Sequence, residues 1–165
     1  MPMNTAINKA KTKVLFVCLG NICRSPTAEG VFKELVHKRG LEDKIAFDSA
    51  GTSNYHIGEP PDLRSQKAAL KRGIDLSYQK ARQVSLQDFY EFDYVIAMDE
   101  KNLADLKDLY PSNASAKLDL LLSFSSKDTK YKEVPDPYWS GEDGFELVLD
   151  LIEDACDGLL NHIRG

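Results

Sequence analysis

The sequence has few of the residues that build disulfide frameworks and metal sites. Its 165 residues include three cysteines and three histidines, and the histidines lie far apart, at His37, His56 and His162. Scattered histidines offer no ligand cluster, so we expect neither a metal nor any other cofactor. An odd number of cysteines argues against a framework of structural disulfides and for a reducing compartment, which predicts a cytoplasmic protein.

Long apolar runs and basic runs are also missing. No stretch of about 18 apolar residues is present, and residues 1–11 lack the apolar centre of a signal peptide. The net charge is −5 and no cluster of lysine and arginine occurs, which disfavours nucleic acid as a partner. We therefore expect no insertion into a membrane, a flexible N-terminal extension over residues 1–11, and one domain over residues 12–165.

Short apolar runs alternate with helical patterns along the rest of the chain. The apolar runs predict four strands, at 14–17, 45–50, 94–98 and 117–122. Apolar residues at helical spacing predict helices from Pro26, with Ser25 as the cap, to near Gly40, and over 62–72, 101–110 and 145–163. This alternation is typical of a single doubly wound α/β domain, in which helices flank a four-stranded parallel sheet as in flavodoxin-like folds.

The link between the first strand and the first helix has the size of a phosphate-binding loop. It begins with Cys18 and ends with Arg24, with five residues between them. A chain that turns through Gly20 and Asn21 into a helix directs backbone N–H groups at a bound oxyanion, and the helix start adds partial positive charge. The same groups favour the thiolate of the cysteine, which is the nucleophilic form. The planar cation of Arg24 can hold two oxygens of a phosphoryl group.

The nine residues from Cys18 to Pro26, Cys-Leu-Gly-Asn-Ile-Cys-Arg-Ser-Pro, resemble the signature loop of the low-molecular-weight protein tyrosine phosphatases. The resemblance runs from residue 13 to the C-terminus and includes four later blocks, Ser49-Ala50-Gly51-Thr52, Ala81-Arg82-Gln83, Ala97-Met98-Asp99-Glu100 and Asp136-Pro137-Tyr138. It implies a metal-independent enzyme that hydrolyses phosphotyrosine in protein substrates through a phosphocysteine intermediate on Cys18.

Asp136 is the candidate general acid. It lies between Pro135 and Pro137, which restrict the backbone and present the carboxyl group from a stiff segment. A tyrosyl oxygen leaves more readily when it is protonated as it departs, and the resemblance gives this role to the aspartate of the Asp-Pro-Tyr block. Asp99, at the end of a predicted strand, is the rival acid, although an aspartate at this place more often caps the following helix.

Further residues are expected to shape the loop and bind the substrate. Ser25 can donate a hydrogen bond to the thiolate, Asn21 suits a left-handed backbone position, and Ser49 can brace the loop from the second strand. The phosphate-binding loop itself contributes Leu19, Gly20, Asn21, Ile22, Cys23 and Ser25. The resemblance implies that aromatic substrates pack against Leu19, Tyr55, Tyr138 and Trp139, in a slot too deep for phosphoserine.

The two other cysteines have different expected roles. Cys23 lies in the same loop as Cys18 and can close a disulfide with it after oxidation to the sulfenic acid, which would protect the nucleophile. The resemblance supports this role, since many family members have this second cysteine. Cys156 lies on the apolar stripe of the last helix, which predicts burial in the core.

Four alternatives remain open from the sequence. Protein arginine phosphatases are similar but typically have threonine at the position of Ile22, whose apolar side chain points to tyrosine. Arsenate reductases on the same scaffold use two more cysteines near the middle of the chain, and none occurs between Cys23 and Cys156. A phosphocarrier with a cysteine loop would need neither Arg24 nor Asp136. A phosphotyrosine-binding module would need no nucleophile.

One departure from the family pattern concerns the residues before the Ala-Arg-Gln block. Several members have a histidine there that joins the hydrogen bonds under the loop, whereas this chain has Tyr78 and Gln79. We expect these hydrogen bonds to be rearranged. The oligomeric state expected from the sequence is a monomer or a weak homodimer.

Overall fold

A parallel sheet of four strands lies at the centre of the protein. In the computed structural model, which describes residues 11–125 and 129–164, the strands are β1 (Thr12–Cys18), β2 (Ile45–Gly51), β3 (Tyr94–Ala97) and β4 (Lys117–Leu120). They lie in the order β2-β1-β3-β4, and every neighbouring pair is parallel. The predicted four-stranded parallel sheet is therefore confirmed. The predicted N-terminal extension, apart from Lys11, lies outside the described residues.

Five α-helices connect or follow the strands in the described part of the chain. They are α1 (Arg24–Lys38), α2 (Leu63–Leu70), α3 (Asp88–Glu91), α4 (Glu100–Leu109) and α5 (Glu142–Arg164). Short 3-10 helices occupy Leu121–Phe124 and Pro137–Trp139. The helices predicted over 62–72, 101–110 and 145–163 are present with ends shifted by three residues or fewer, whereas α3 and the 3-10 helices were not predicted. None of the described helices is long and apolar enough to span a membrane.

Helices cover both faces of the sheet because side chains alternate along the central strand β1. Val14, Phe16 and Cys18 belong to an apolar cluster with α1 and α5. Leu15 and Val17 belong to a second cluster, which includes residues of α3 and α4. A strand buried on both faces has few polar residues, which explains the continuous apolar run from Val14 to Val17. Cys156 of α5 is fully buried in the first cluster, as predicted.

The predicted start of α1 is wrong by two residues. The helix begins at Arg24, and the N–H of Thr27 donates to the carbonyl of Cys23 at 3.2 Å, so Ser25 is not the cap and Pro26 is the third helical residue. Ser25 cannot cap because its hydroxyl faces the loop, 3.0 Å from the sulfur of Cys18. The helix ends near Gly40, whose φ of +64° is the left-handed conformation that commonly follows a helix.

Candidate active site

The loop after β1 curls around the sulfur of Cys18. The backbone N–H of Asn21 donates to this sulfur at 3.2 Å, and the hydroxyl of Ser25 lies 3.0 Å from it. The N–H of Asn21 can only donate, and the hydroxyl of Ser25 can act as a second donor to the sulfur. Cys18 is buried, so few other partners compete for the sulfur.

Asn21 holds the shape of this loop. It has a φ of +59° and is the only non-glycine residue with positive φ in the described part of the chain. Its side-chain nitrogen donates to the hydroxyls of Ser25, at 2.8 Å, and Ser49, at 3.0 Å, and its oxygen accepts the backbone N–H of Arg82 at 3.0 Å. These bonds offset the cost of a left-handed residue, which is about 1–2 kcal/mol. The left-handed position expected for Asn21 is present, with Ser49 beside it.

Gly51, at the end of β2, allows the loop to pass close to the sheet. A Cβ atom added at this residue would lie 2.7 Å from the carbonyl oxygen of Leu19 and 3.1 Å from the backbone nitrogen of Asn21. No real side chain fits against backbone at such distances. The residue after Gly51 also contacts the loop, since the N–H of Thr52 donates to the carbonyl of Cys18 at 2.9 Å.

Arg24 lies under the opening of the loop and is held from one side. Its Nη1 donates to Oδ2 of Asp99 at 2.7 Å and to the carbonyl of Val134 at 3.1 Å. Burial alone would lower the pKa of Arg24, but the Cys18 sulfur and Asp99 raise it, and the pKa ends above its usual value. Asp99 also caps α4 by accepting the N–H of Asn102 at 2.7 Å. Asp99 therefore both caps α4 and forms an ion pair with Arg24.

Asp136 faces Arg24 from the other side. Its Oδ1 accepts the N–H of Tyr138 at 3.0 Å, which fixes the carboxyl group, and its Oδ2 lies 3.8 Å from Nη2 of Arg24. Oδ1 is thus engaged by a backbone N–H, whereas Oδ2 is the oxygen that faces the guanidinium of Arg24. The side chain is partly exposed, so solvent can reach this carboxyl group.

Cys18, Arg24 and Asp136 line one cleft of about 440 Å³. The other residues that line it are Leu19, Gly20, Ile22, Cys23, Tyr55, His56 and Tyr138. The predicted residues that lie behind the loop, outside this lining, are Asn21, Ser25 and Ser49. Trp139 lies in the 3-10 helix beside the cleft, but its side chain is outside the described part of the structure.

His56 was not identified as a site residue from the sequence. It lies against the loop, close enough that a Cβ atom on Gly20 would meet its ring carbon at 2.9 Å. Its Nδ1 is 3.2 Å from the carboxylate of Glu59, which leaves Nε2 for the cleft side of the ring. A single histidine in a loop gives no sequence signal of this kind, because the contact depends on how the loop after β2 folds back.

Glu29 is a second residue that sequence reasoning missed. It is 5% exposed, its Oε1 lies 2.8 Å from the hydroxyl of Ser49, and its Oε2 accepts the hydroxyl of Tyr78 at 2.7 Å. Gln79 joins the same group, since its Oε1 lies 3.2 Å from the hydroxyl of Ser49. The rearranged hydrogen bonds expected around Tyr78 and Gln79 are thus present directly under the loop.

Cys23 lines the cleft but is itself buried. Burial raises the pKa of its thiol to about 12, so at neutral pH it carries its proton. Across residues 11–125 and 129–164, no group of three or more histidine, cysteine, aspartate or glutamate side chains is arranged to hold a metal ion.

Fold and site together define an α/β protein with a cysteine and a buried arginine facing one cleft at the carboxyl end of a parallel sheet. The family model described as low molecular weight phosphotyrosine protein phosphatase matches residues 13–165. The chain belongs to this family.

Individual relatives agree with this assignment. The low molecular weight protein-tyrosine-phosphatase YfkJ of Bacillus subtilis is 46% identical over 151 residues, which are 92% of this chain and 95% of that protein. The crystal structure of a protein tyrosine phosphatase from Entamoeba histolytica superposes with a TM-score of 0.89 at 43% identity, covering 93% of this chain and 97% of the other. A Drosophila arginine phosphatase is also similar, with a TM-score of 0.87 at 37% identity, covering 93% and 99% of the two chains.

Proposed function

We propose that the protein hydrolyses phosphotyrosine in protein substrates in two steps, through a phosphocysteine formed on Cys18. The observation that carries this proposal is the convergence of a hydrogen-bonded sulfur, a buried guanidinium and a partly exposed carboxyl group on one cleft. We assign the sulfur the role of nucleophile and the carboxyl group that of acid and base. The guanidinium is the proposed ligand of the phosphoryl oxygens.

In the first step, the thiolate of Cys18 attacks phosphorus and the bond from phosphorus to the tyrosyl oxygen breaks. Asp136, in its acid form, gives the proton on Oδ2 to the departing oxygen, so tyrosine leaves as a neutral phenol. The geometry favours Oδ2 because Oδ1 is bound to the N–H of Tyr138. The products of this step are a dephosphorylated tyrosine residue in the substrate, a phosphorylated Cys18 and an ionised Asp136.

In the second step, water attacks the phosphocysteine. Asp136 accepts a proton from the water, the bond between phosphorus and sulfur breaks, and inorganic phosphate leaves. The sulfur departs as a thiolate, which the N–H of Asn21 and the hydroxyl of Ser25 stabilise by hydrogen bonds. The enzyme thereby returns to its starting state, with the proton back on Asp136.

Arg24 is proposed to bind the oxygens of the phosphoryl group in both steps. Nη1 is engaged by Asp99 and by the carbonyl of Val134, whereas Nη2 faces the cleft side, towards Asp136. A fixed cation in a cleft of low polarity stabilises charge on transferring phosphoryl oxygens without reorganising during the reaction. The backbone N–H groups of residues 19–24 are proposed to share this task.

Substrate choice is proposed to follow from the walls of the cleft. Leu19, Tyr55 and Tyr138 supply an apolar lining on which a phenyl ring can pack. Ile22 offers no hydroxyl group to a guanidinium-linked phosphate, which favours phosphotyrosine over phosphoarginine. Because the chain is similar to a Drosophila arginine phosphatase, hydrolysis of phosphoarginine is the main alternative to the proposed activity.

Cys23 is proposed to protect the nucleophile from oxidation. Peroxide would oxidise the Cys18 thiolate to the sulfenic acid and be reduced to water, and the Cys23 sulfur would then displace hydroxide to form a disulfide. A dithiol reductant would restore both thiols. Because the reaction needs a free thiolate at Cys18, we further propose that the protein acts in the reducing environment of the cytoplasm.

The proposed activity is tested by metal-free hydrolysis of four substrates: p-nitrophenyl phosphate and peptides that carry phosphotyrosine, phosphoserine or phosphoarginine. We expect phosphotyrosine to be hydrolysed, phosphoserine to be spared, and all turnover to vanish in Cys18→Ser. Preference for phosphoarginine would overturn the argument from Ile22. Binding of phosphotyrosine by the parent protein without turnover would indicate a binding module instead.

A further inference from the structure

Glu29 is a carboxyl group buried under the cysteine loop without a cationic partner. It is 5% exposed, and within the described ranges no lysine, arginine or histidine forms an ion pair with it. Among the described residues, the hydrogen-bond partners of its two oxygens are both hydroxyl groups, those of Ser49 and Tyr78. A buried carboxylate without a cation is costly, whereas a buried carboxylic acid needs only hydrogen-bond partners.

The surrounding amide groups have fixed orientations. Nε2 of Gln79 donates to the carbonyl of Pro26 at 2.9 Å, and a carbonyl can only accept, so Oε1 of Gln79 must face Ser49. Oδ1 of Asn21 accepts the backbone N–H of Arg82, so Nδ2 of Asn21 must also face Ser49. The hydroxyl of Ser49 therefore has one donor, Asn21, and one obligate acceptor, Gln79, as neighbours besides Glu29.

The number of protons in this cluster depends on the state of Glu29. Ser49 has one hydroxyl proton, and Oε1 of Gln79 and Oε1 of Glu29 both lie within hydrogen-bond distance, at 3.2 and 2.8 Å. If Glu29 is ionised, both oxygens are acceptors and one of the two contacts has no proton. If Glu29 carries a proton on Oε1, it donates to Ser49, Ser49 donates to Gln79, and every contact in the cluster has one donor and one acceptor.

We infer that Glu29 is a neutral carboxylic acid that donates a hydrogen bond to Ser49 and thereby positions Asn21 and the Cys18 loop. The chain of bonds runs from Glu29 to Ser49, which accepts from Asn21, and Asn21 in turn donates to Ser25 beside the sulfur. Glu29 is thus a positioning residue that acts through three others. The expected effect of Glu29 on turnover rests on the proposed function. The claim that Glu29 carries a proton is independent of that function.

Burial and one nearby carboxylate act on Glu29 in the direction of the protonated form. Burial is the largest influence and raises its pKa, and Asp48 on β2 raises it further. Hydrogen bonds from Tyr78 and Ser49 lower it, as does Lys33 on the same helix, but the pKa ends above its usual value. Lys33 places its ammonium over the ring of Tyr78, and Asp48 is paired with Arg82 at 3.1 Å, so neither charge contacts the carboxyl group.

The proton on Glu29 gives folding a defined pH dependence. In the unfolded chain a glutamate titrates near about 4.3, and in the folded protein the pKa of Glu29 is raised. Between these two values the folded state binds the extra proton, so stability decreases as pH rises from the unfolded pKa through the folded pKa. A glutamine at this position has no proton to lose and removes this part of the pH dependence.

Glu29→Gln is the decisive variant because an amide reproduces the neutral acid. Its nitrogen can donate to Ser49 and its oxygen can accept from Tyr78. We expect turnover of p-nitrophenyl phosphate at pH 7 within about threefold of the parent, because the chain of bonds persists. We expect Glu29→Ala, which removes both partners, to lose about tenfold or more. A loss of more than tenfold in Glu29→Gln would overturn the inference.

Two measurements report the proton without using turnover. The infrared spectrum of the parent at pH 7 should contain a protonated carboxyl C=O band that Glu29→Gln lacks. The stability of Glu29→Gln relative to the parent, from urea unfolding, should increase as pH rises above about 4.3 and then level off. Glu34→Gln, a change of a less buried carboxyl group on the same helix, should alter neither observable. Absence of the infrared band, or a relative stability that is constant with pH or levels off below pH 7, would show that Glu29 is ionised at neutral pH.

Discussion

The guanidinium of Arg24 donates from Nη1 to Oδ2 of Asp99 at 2.7 Å, while its Nη2 lies 3.8 Å from Oδ2 of Asp136. One carboxylate therefore fixes the arginine from the end of β3, and the other faces it across the cleft. The two aspartates were rivals for the role of general acid in the sequence. Their different contacts support the proposal that Asp99 holds the arginine and Asp136 transfers the proton.

Replacing Asp99 by asparagine is expected to lower kcat by about 10- to 100-fold, because a charge-assisted hydrogen bond to Arg24 contributes about 1.5–3 kcal/mol. Asparagine is as good a helix cap as aspartate, so α4 should persist. The matched control is Asp105→Asn on the same helix, whose carboxylate lies 3.7 Å from the exposed Lys101. Steady-state kinetics test this, and equal rates for both variants would contradict the role given to Asp99.

The effect of Asp136→Asn is expected to depend on the leaving group. With phosphotyrosine, whose tyrosyl oxygen needs a proton, kcat should decrease by about 10²- to 10⁴-fold. With p-nitrophenyl phosphate, whose leaving group is stable as an anion, the decrease in the phosphoryl-transfer step should be much smaller. The measurement is the rate of that step for a series of aryl phosphates, followed by rapid mixing. Equal losses along the series would exclude Asp136 as the acid.

Replacing Asn21 by glycine and by alanine separates two contributions to the loop. Both variants lose the side-chain bonds to Ser25, Ser49 and the N–H of Arg82, which should cost about 1–3 kcal/mol of stability. Alanine should cost about 1–2 kcal/mol more than glycine, because φ at this residue is +59°. Urea unfolding measures the difference, and an alanine variant as stable as the glycine variant would contradict the structural role of the left-handed turn.

Cys23 should determine recovery from peroxide. The parent is expected to lose activity in peroxide and regain it with a dithiol, whereas Cys23→Ser should regain less, because its sulfenic acid is oxidised further. Since burial raises the pKa of Cys23 to about 12, disulfide closure should become faster as pH rises towards that value. Activity after a peroxide pulse and reduction is the measurement. Full recovery of Cys23→Ser would show that the second cysteine does not protect the first.

The sequence predicted the elements that depend on local patterns. Four apolar runs became the four strands, and the left-handed position of Asn21 followed from the suitability of asparagine for such a position in the loop. The start of α1 was wrong because a serine before a proline resembles a cap, and only the folded loop reveals that the hydroxyl of Ser25 faces the sulfur of Cys18.

The contacts that sequence patterns did not predict all connect distant segments. Glu29 lies on a helix where glutamate is usually exposed, and its burial depends on Tyr78 and Ser49, which come from other parts of the chain. His56 reaches the loop only because the segment after β2 folds back over Gly20. Such long-range contacts leave no periodicity in the sequence.

The central claim is that the phosphoryl group is transferred to Cys18. The most direct measurement is rapid acid quenching during turnover of p-nitrophenyl phosphate, followed by mass spectrometry of the peptide that contains Cys18 and Cys23. The proposed mechanism predicts a transient phosphate on Cys18 when water attack is slower than phosphoryl transfer, and it predicts no phosphate on this peptide in Cys18→Ser. Turnover with a burst of p-nitrophenol and no phosphate on this peptide at any quench time would contradict it.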